Sequence, residues 1–239
     1  MHSFTQFKSD NTELYPDIST FIYRLRTISD EDGKCKTISN NVPFEGLKDL
    51  RLIIFCIVYG LYTLGIYVPV DFLPIYMVKE HGISPLQAGS VISIYGISNT
   101  MGQIIAGGIT QCVAKSALIL TSISMWLLGF SCILMANSTT YWQFVLCIST
   151  YGIASGMCMM LRPISLVDMF GVGFLKKAYG LVVLFSGGSS LISAPMAGWL
   201  KVVSGTYCIA FYAAAGVFTL AGILGNILFY IDKKIYKAQ

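Results

Sequence analysis

Residues 52–77 read LIIFCIVYGLYTLGIYVPVDFLPIYM, and Asp71 is the single charged residue among them. A helix rises about 1.5 Å per residue, so about 20 apolar residues cross the roughly 30 Å of hydrocarbon in a bilayer. This run is long enough to do so. An unpaired backbone polar group in lipid costs several kcal/mol, so the run must be helical. Working outward, five more runs have the same character: roughly 86–110, 116–136, 141–170, 178–200 and 207–231. The expectation is an all-α membrane protein with six transmembrane helices.

Composition agrees. Of 239 residues, 55% are hydrophobic and 12% charged, against about 45–50% and about 25% in soluble domains. Residues 1–50 carry 14 of the 28 charged side chains. That block, rich in Ser, Thr, Asn and Asp, reads as a polar, mostly disordered cytoplasmic segment. A six-helix bundle is expected over 51–232 and a short tail over 233–239. The net charge of +4 comes from the loops and does not point to nucleic acid. Seven cysteines are scattered without a CxxC pair, as small buried hydrophobes rather than metal ligands or disulfides. No signal peptide opens the chain, so the first membrane helix is expected to insert the protein.

Helix boundaries carry their own chemistry. Ser84-Pro85-Leu86-Gln87 and Thr140-Tyr141-Trp142-Gln143 both have the capping-box pattern, the first with Pro at the first helical position. Trp142 and Trp199 fall near segment ends, where interfacial aromatics belong. With residues 1–51 inside, Lys34, Lys36, Lys48, Arg51, Lys115, Lys176, Lys177, Lys233, Lys234 and Lys237 are all cytoplasmic. Only Lys79 and Lys201 then face outward. The positive-inside rule therefore puts both termini in the cytoplasm, at a multi-pass membrane, expected to be the plasma membrane. Asn137-Ser138-Thr139 is a glycosylation sequon in an outer loop too short to present it.

Within the segments, Gly152-xxx-Gly156, Gly102-xxx-Ala106 and Ala194-xxx-Gly198 are small-xxx-small pairs that let helices approach. Pro69, Pro74, Pro163 and Pro195 interrupt three spans, each removing a backbone bond. Embedded charges are costly and are candidates for function. They are Asp71, Arg162 and Asp168. Asp71 also fits an outer face reached by water, and Asp168 an interfacial position beside Lys176 and Lys177. Asn99 and Gln103 are four apart and share a helix face, as an interhelical clamp or as a substrate contact. No nucleophile, metal-ligand or phosphate-loop motif is present, so no catalytic residue, metal or cofactor is expected and the chain does not read as an enzyme.

Several of these stretches resemble one family, in order and at matching spacing over residues about 50–230. Tyr67-Val-Pro and Phe72-Leu-Pro-Ile-Tyr resemble the seventh helix of monocarboxylate transporters of the major facilitator superfamily. Ser93-Ile-Tyr-Gly-Ile-Ser-Asn99-Thr-Met-Gly-Gln103-Ile-Ile-Ala-Gly107 is similar to the eighth. Leu161-Arg162-Pro-Ile-Ser-Leu-Val-Asp168-Met-Phe-Gly171 is similar to the tenth. Ala178-Tyr-Gly-Leu with Gly187 and Ala194-Pro-Met-Ala-Gly198 resembles the eleventh, and Ser204-Gly-Thr-Tyr207 with Phe211-Tyr the entry to the twelfth.

The resemblance implies the C-terminal half of that fold, with residues 1–50 in the place of the central loop. It implies a secondary, symport-type carrier of small carboxylates or related metabolites. An N-terminal half or a second copy would complete it. Asn99, Gln103, Arg162 and Asp168 are the candidate substrate-binding residues. Two positions depart from the family pattern. Gln103 stands where the family usually has an Arg implicated in carboxylate binding and coupling. An amide can bond a carboxylate but supplies no charge. Lys201-Val202 stands where an Asp is common. A non-transporting partner of a full-length transporter is the other reading.

Overall fold

A computed structural model describes residues 50–112, 117–204 and 206–238. The expected polar segment 1–50 falls outside these residues except for its last position, and Lys115 also lies outside them. The described residues form six helices: α1 Leu50–His81, α2 Pro85–Cys112, α3 Ala117–Asn137, α4 Tyr141–Phe170, α5 Val172–Ser204 and α6 Cys208–Ala238. Each covers one of the expected segments. Several run further, α5 starting at Val172 rather than 178 and α6 continuing to Ala238 rather than 231. Four of them, α1, α3, α4 and α6, are long and apolar enough to cross a membrane. α2 and α5, at 28 and 33 residues, have the length. In α2, Asn99 and Gln103 together with Gly, Ser and Thr lower the apolarity of the helix.

The boundaries follow the local chemistry. At α4 the Gln143 carboxamide oxygen accepts from the backbone N–H groups of Thr139 (3.0 Å) and Thr140 (3.1 Å). At α2 the Gln87 N–H donates to Ser84 Oγ at 3.4 Å, and Pro85 occupies the first helical position. Both satisfy donors that a helix start leaves unpaired. Gly82 (φ 64°) turns the chain between α1 and α2.

α1 packs against α5 and α6, α2 chiefly against α4, and α3 against α4 and α6. The buried core runs between them through Phe55, Tyr59, Tyr62, Met125, Leu128, Tyr151, Phe211 and Phe218. Several hydroxyls inside it are paired within their own helices. Thr121, Ser124 and Ser131 each donate to the carbonyl four residues back, at 2.8 Å. That bond satisfies a hydroxyl without water. The cysteines with described side chains, 56, 132, 147, 158 and 208, are free thiols, and all but Cys208 are buried.

Side-chain contacts define the two ends of the bundle. At one, Arg51 of α1 pairs with Asp232 of α6 at 3.1 Å, and its guanidinium lies 5.3 Å from the Phe170 ring of α4. At the other, Tyr76 and His81 of α1 meet Phe144 of α4, while Glu80 accepts the Tyr207 N–H at 3.1 Å. Successive helices alternate in direction, so α2, α4 and α6 run one way and α1, α3 and α5 the other.

Beside one proline of α1, two other helices bond the carbonyls next to the one it leaves unpaired. Pro69 has no N–H for the carbonyl of Gly65. The flanking carbonyls of Leu64 and Ile66 accept from Ser193 of α5 (2.7 Å) and Tyr151 of α4 (2.9 Å). The α1 interruption is therefore braced from two sides.

Candidate functional site

The site starts from a close backbone crossing. Where α2 meets α4, a Cβ on Gly156 would collide with Asn99 O, and one on Gly102 would collide with Ile153 O. A Cβ on Gly152 would lie 2.7 Å from that of Ser98. Glycine is required at these positions because the two backbones touch, which is what small-xxx-small pairs permit. The third pair behaves differently: a Cβ on Gly198 would meet nothing within 4 Å.

The crossing brings polar side chains together. Gln103 Nε2 donates to Asn99 Oδ1 at 2.9 Å, and Asn99 Nδ2 donates to Ser155 Oγ of α4 at 2.8 Å. Ser155 Oγ lies 2.9 Å from Gly152 O and 3.4 Å from the Tyr95 hydroxyl. The α2 amides are therefore a clamp between helices. Replacing Ser155 by Ala is expected to loosen it by about 0.6 kcal/mol, and by less than about 2 kcal/mol, the usual range for hydrogen bonds between membrane helices. A melting temperature in detergent unchanged within error would show that Asn99 finds another partner.

Arg162 lies two turns beyond Ser155 on α4. Helical side chains lean toward the N-terminus of their helix, and Arg162 does so. Its Cζ sits 4.6 Å from the ring centre of Tyr59 and 5.8 Å from that of Tyr62, both on α1. The hydroxyl of Tyr62 donates to Ser155 O (3.2 Å) and that of Tyr59 to Cys158 O (3.4 Å). Arg162 is thus tied through Tyr62 and two turns of α4 to the Asn99–Gln103 clamp. Its Nε is buried and has no hydrogen-bond partner among the described residues. Among the described residues, the ion pair present is Arg51–Asp232, and no carboxylate lies within pairing distance of Arg162.

Asp168 does not join this group. It is exposed near the α4 terminus, within electrostatic reach of Asp232 at the Arg51 end. Asp71 is also exposed, on α1. So three of the four expected residues belong to one connected cluster, and Asp168 belongs to a charged group at the bundle end. The sequence reading missed Tyr59, Tyr62 and Ser155. Tyr59 and Tyr62 sit three apart and so share a helix face, which was a usable signal. Nothing in the sequence placed that face beside Arg162. A small apolar hollow lined by Pro69, Leu73, Pro74, Val91, Tyr95 and Ile148 does not have Arg162 in its wall.

Among the described residues there is no group of three His, Cys, Asp or Glu side chains that could hold a metal.

Four packed helices, each long and apolar enough to cross a bilayer, define a multi-pass helical membrane protein. Residues 55–239 match the sequence model of the Major Facilitator Superfamily, and the chain belongs to that superfamily. Among its curated relatives is monocarboxylate transporter 4 of Mus musculus, 29% identical over 192 residues, covering 78% of this chain and 40% of the relative. Monocarboxylate transporter 4 of Gallus gallus is 27% identical over 209 residues, 85% of this chain and 44% of that one. Monocarboxylate transporter 13 of Rattus norvegicus is 26% identical over 168 residues, 70% of this chain and 39% of that one. This chain therefore spans roughly two-fifths of the length of these relatives. They are transporters, not enzymes.

Proposed function

We infer that the chain is the C-terminal, six-span half of a carrier for small carboxylates or related metabolites, with Arg162 as the countercharge for the anion. The observation that carries this is the guanidinium itself. It is held inside the bundle by two aromatic rings, with a buried Nε that has no partner and no carboxylate beside it among the described residues. An embedded charge without a countercharge is costly, and a carboxylate matches the planar guanidinium fork. Asn99 and Gln103 orient the anion from α2, the charge coming from α4 instead of from position 103. Asp168 serves the cytoplasmic end rather than the anion.

In this reading α2 and α5 also span the bilayer, and the lower apolarity of α2 reflects a face turned to a pathway or partner instead of lipid. Open glycines support it: a Cβ on Gly96, Gly108, Gly180, Gly187 or Gly188 would meet nothing within 4 Å. An N-terminal half, or a second copy, covers those faces. Residues 1–50 form a polar cytoplasmic segment in the place of the family's central loop, the bundle spans 51–232, and 233–239 is a cytoplasmic tail. Both termini face the cytoplasm, at the plasma membrane.

The test is uptake of labelled pyruvate by cells expressing the chain alone and by cells co-expressing it with the N-terminal half of a monocarboxylate transporter. Uptake is expected only in the second case. Absence of uptake in both, with the chain at the surface and bound to the half, would leave the other reading: a partner that modulates a full-length transporter without transporting.

A further inference from the structure

Tyr59 and Tyr62 do more around Arg162 than fill core volume. Both are fully buried, at 0% and 1% exposure. Their ring centres are 6.0 Å apart and the rings are inclined at 71°, so they present two differently oriented aromatic surfaces to one guanidinium. Each ring is fixed at both ends. Phe55 packs on Tyr59 at 4.6 Å and Phe218 on Tyr62 at 6.4 Å, while both hydroxyls are bonded to α4 carbonyls one and two turns before Arg162.

A long arginine on a membrane helix tends to snorkel, extending its charged head toward the nearer water. Arg162 is nine residues from the end of α4 at Gly171, a span of about 14 Å, and Pro163 follows it in the chain. Yet it lies back against α1. The attraction that opposes snorkelling is the cation over an aromatic face, which strengthens as water is removed.

We propose that Tyr59 and Tyr62 are positioning residues that hold the Arg162 guanidinium within the bundle in its anion-binding pose, Tyr59 more strongly because it is nearer. The ring carries this role. The hydroxyl ties α1 to α4 and is secondary. The proposal rests on Arg162 being the anion's countercharge, but its test does not require an anion.

The full-length chain, purified into lipid nanodiscs, is treated with phenylglyoxal, and the rate of modification at each arginine is read by peptide mass spectrometry. In the native chain Arg162 is expected to react slowly. In Tyr59→Leu its rate is expected to rise about tenfold, the factor that corresponds to losing one desolvated cation–aromatic contact. Tyr62→Leu is expected to give a smaller rise, and Tyr59→Phe to match the native rate. Arg51, 5.3 Å from Phe170, should be unchanged throughout. Equal rates for Tyr59→Leu and the native chain would overturn the proposal. So would an equal rise at Arg51 and Arg162, since the ring would then be holding the bundle and not the guanidinium. Pyruvate protection of Arg162 in the native chain is a separate arm. If protection is absent while the ring effect stands, the anion reading fails and the positioning survives.

Discussion

Arg162→Gln is expected to weaken pyruvate binding by about 10- to 100-fold, the loss of one charge-assisted hydrogen-bonded contact of about 1.5–3 kcal/mol. The side chain keeps its aliphatic stem and a polar end, though two bonds shorter, so surface expression should hold. Arg162→Lys keeps the charge but loses the planar fork and its stacking on Tyr59 and Tyr62. It is expected to recover only part of the affinity, because arginine and lysine are not interchangeable at a stacked, bidentate site. Equilibrium binding to the purified chain reads both. A Gln variant that binds pyruvate as the native chain does would remove Arg162 from the site. A Lys variant equal to the native chain would show that charge alone is recognised.

The second large effect is structural. Gly156→Ala is expected to lower the melting temperature in detergent by on the order of 5 °C, corresponding to about 1–3 kcal/mol of overpacking. The new methyl would stand against the backbone of Asn99, its carbonyl carbon 2.9 Å away. Backbone of this kind cannot move aside as a flexible side chain would, so α2 and α4 must separate. Separation also stretches the 2.8 Å bond from Asn99 to Ser155, so the polar clamp should weaken with the packing. Gly108→Ala is the control: it lies on α2, the other helix of the crossing, and its added methyl meets nothing within 4 Å among the described residues. Alanine also favours helix over glycine, so this variant should be neutral or slightly stabilised. Equal melting temperatures for the two variants would mean that the α2–α4 crossing is looser than its backbone contacts imply.

These expectations show what kind of information each level holds. Helix number and position were legible as long apolar runs, and four of the six helices have the length and apolarity that lipid demands. All six helices cover the segments read from the sequence, and the capping signals at Ser84 and Thr140 sit at observed starts. Gly102, Gly152 and Gly156 were recognisable as close-approach residues, since the spacing of small residues is a local pattern. Which neighbour they approach is not local. The same spacing at Ala194 and Gly198 leaves Gly198 without a contact.

The candidate site divides in the same way. Asn99, Gln103 and Arg162 stood out in sequence because polar and charged groups are rare in apolar helices. Asp168 stood out for the same reason, and rarity cannot tell a charge facing the bundle from one at its end. Only the folded bundle decided that Asp168 sits near Asp232, that Asn99 reaches Ser155 across the α2–α4 crossing, and that Tyr59 and Tyr62 arrive from about 100 residues away to cover Arg162. The chain by itself determined that it forms apolar helices and which of their residues are polar, because those are properties of each segment against lipid. The tertiary structure decided which polar residues meet, because that depends on the rotation and crossing of helices whose outward chemistry is nearly the same on every side.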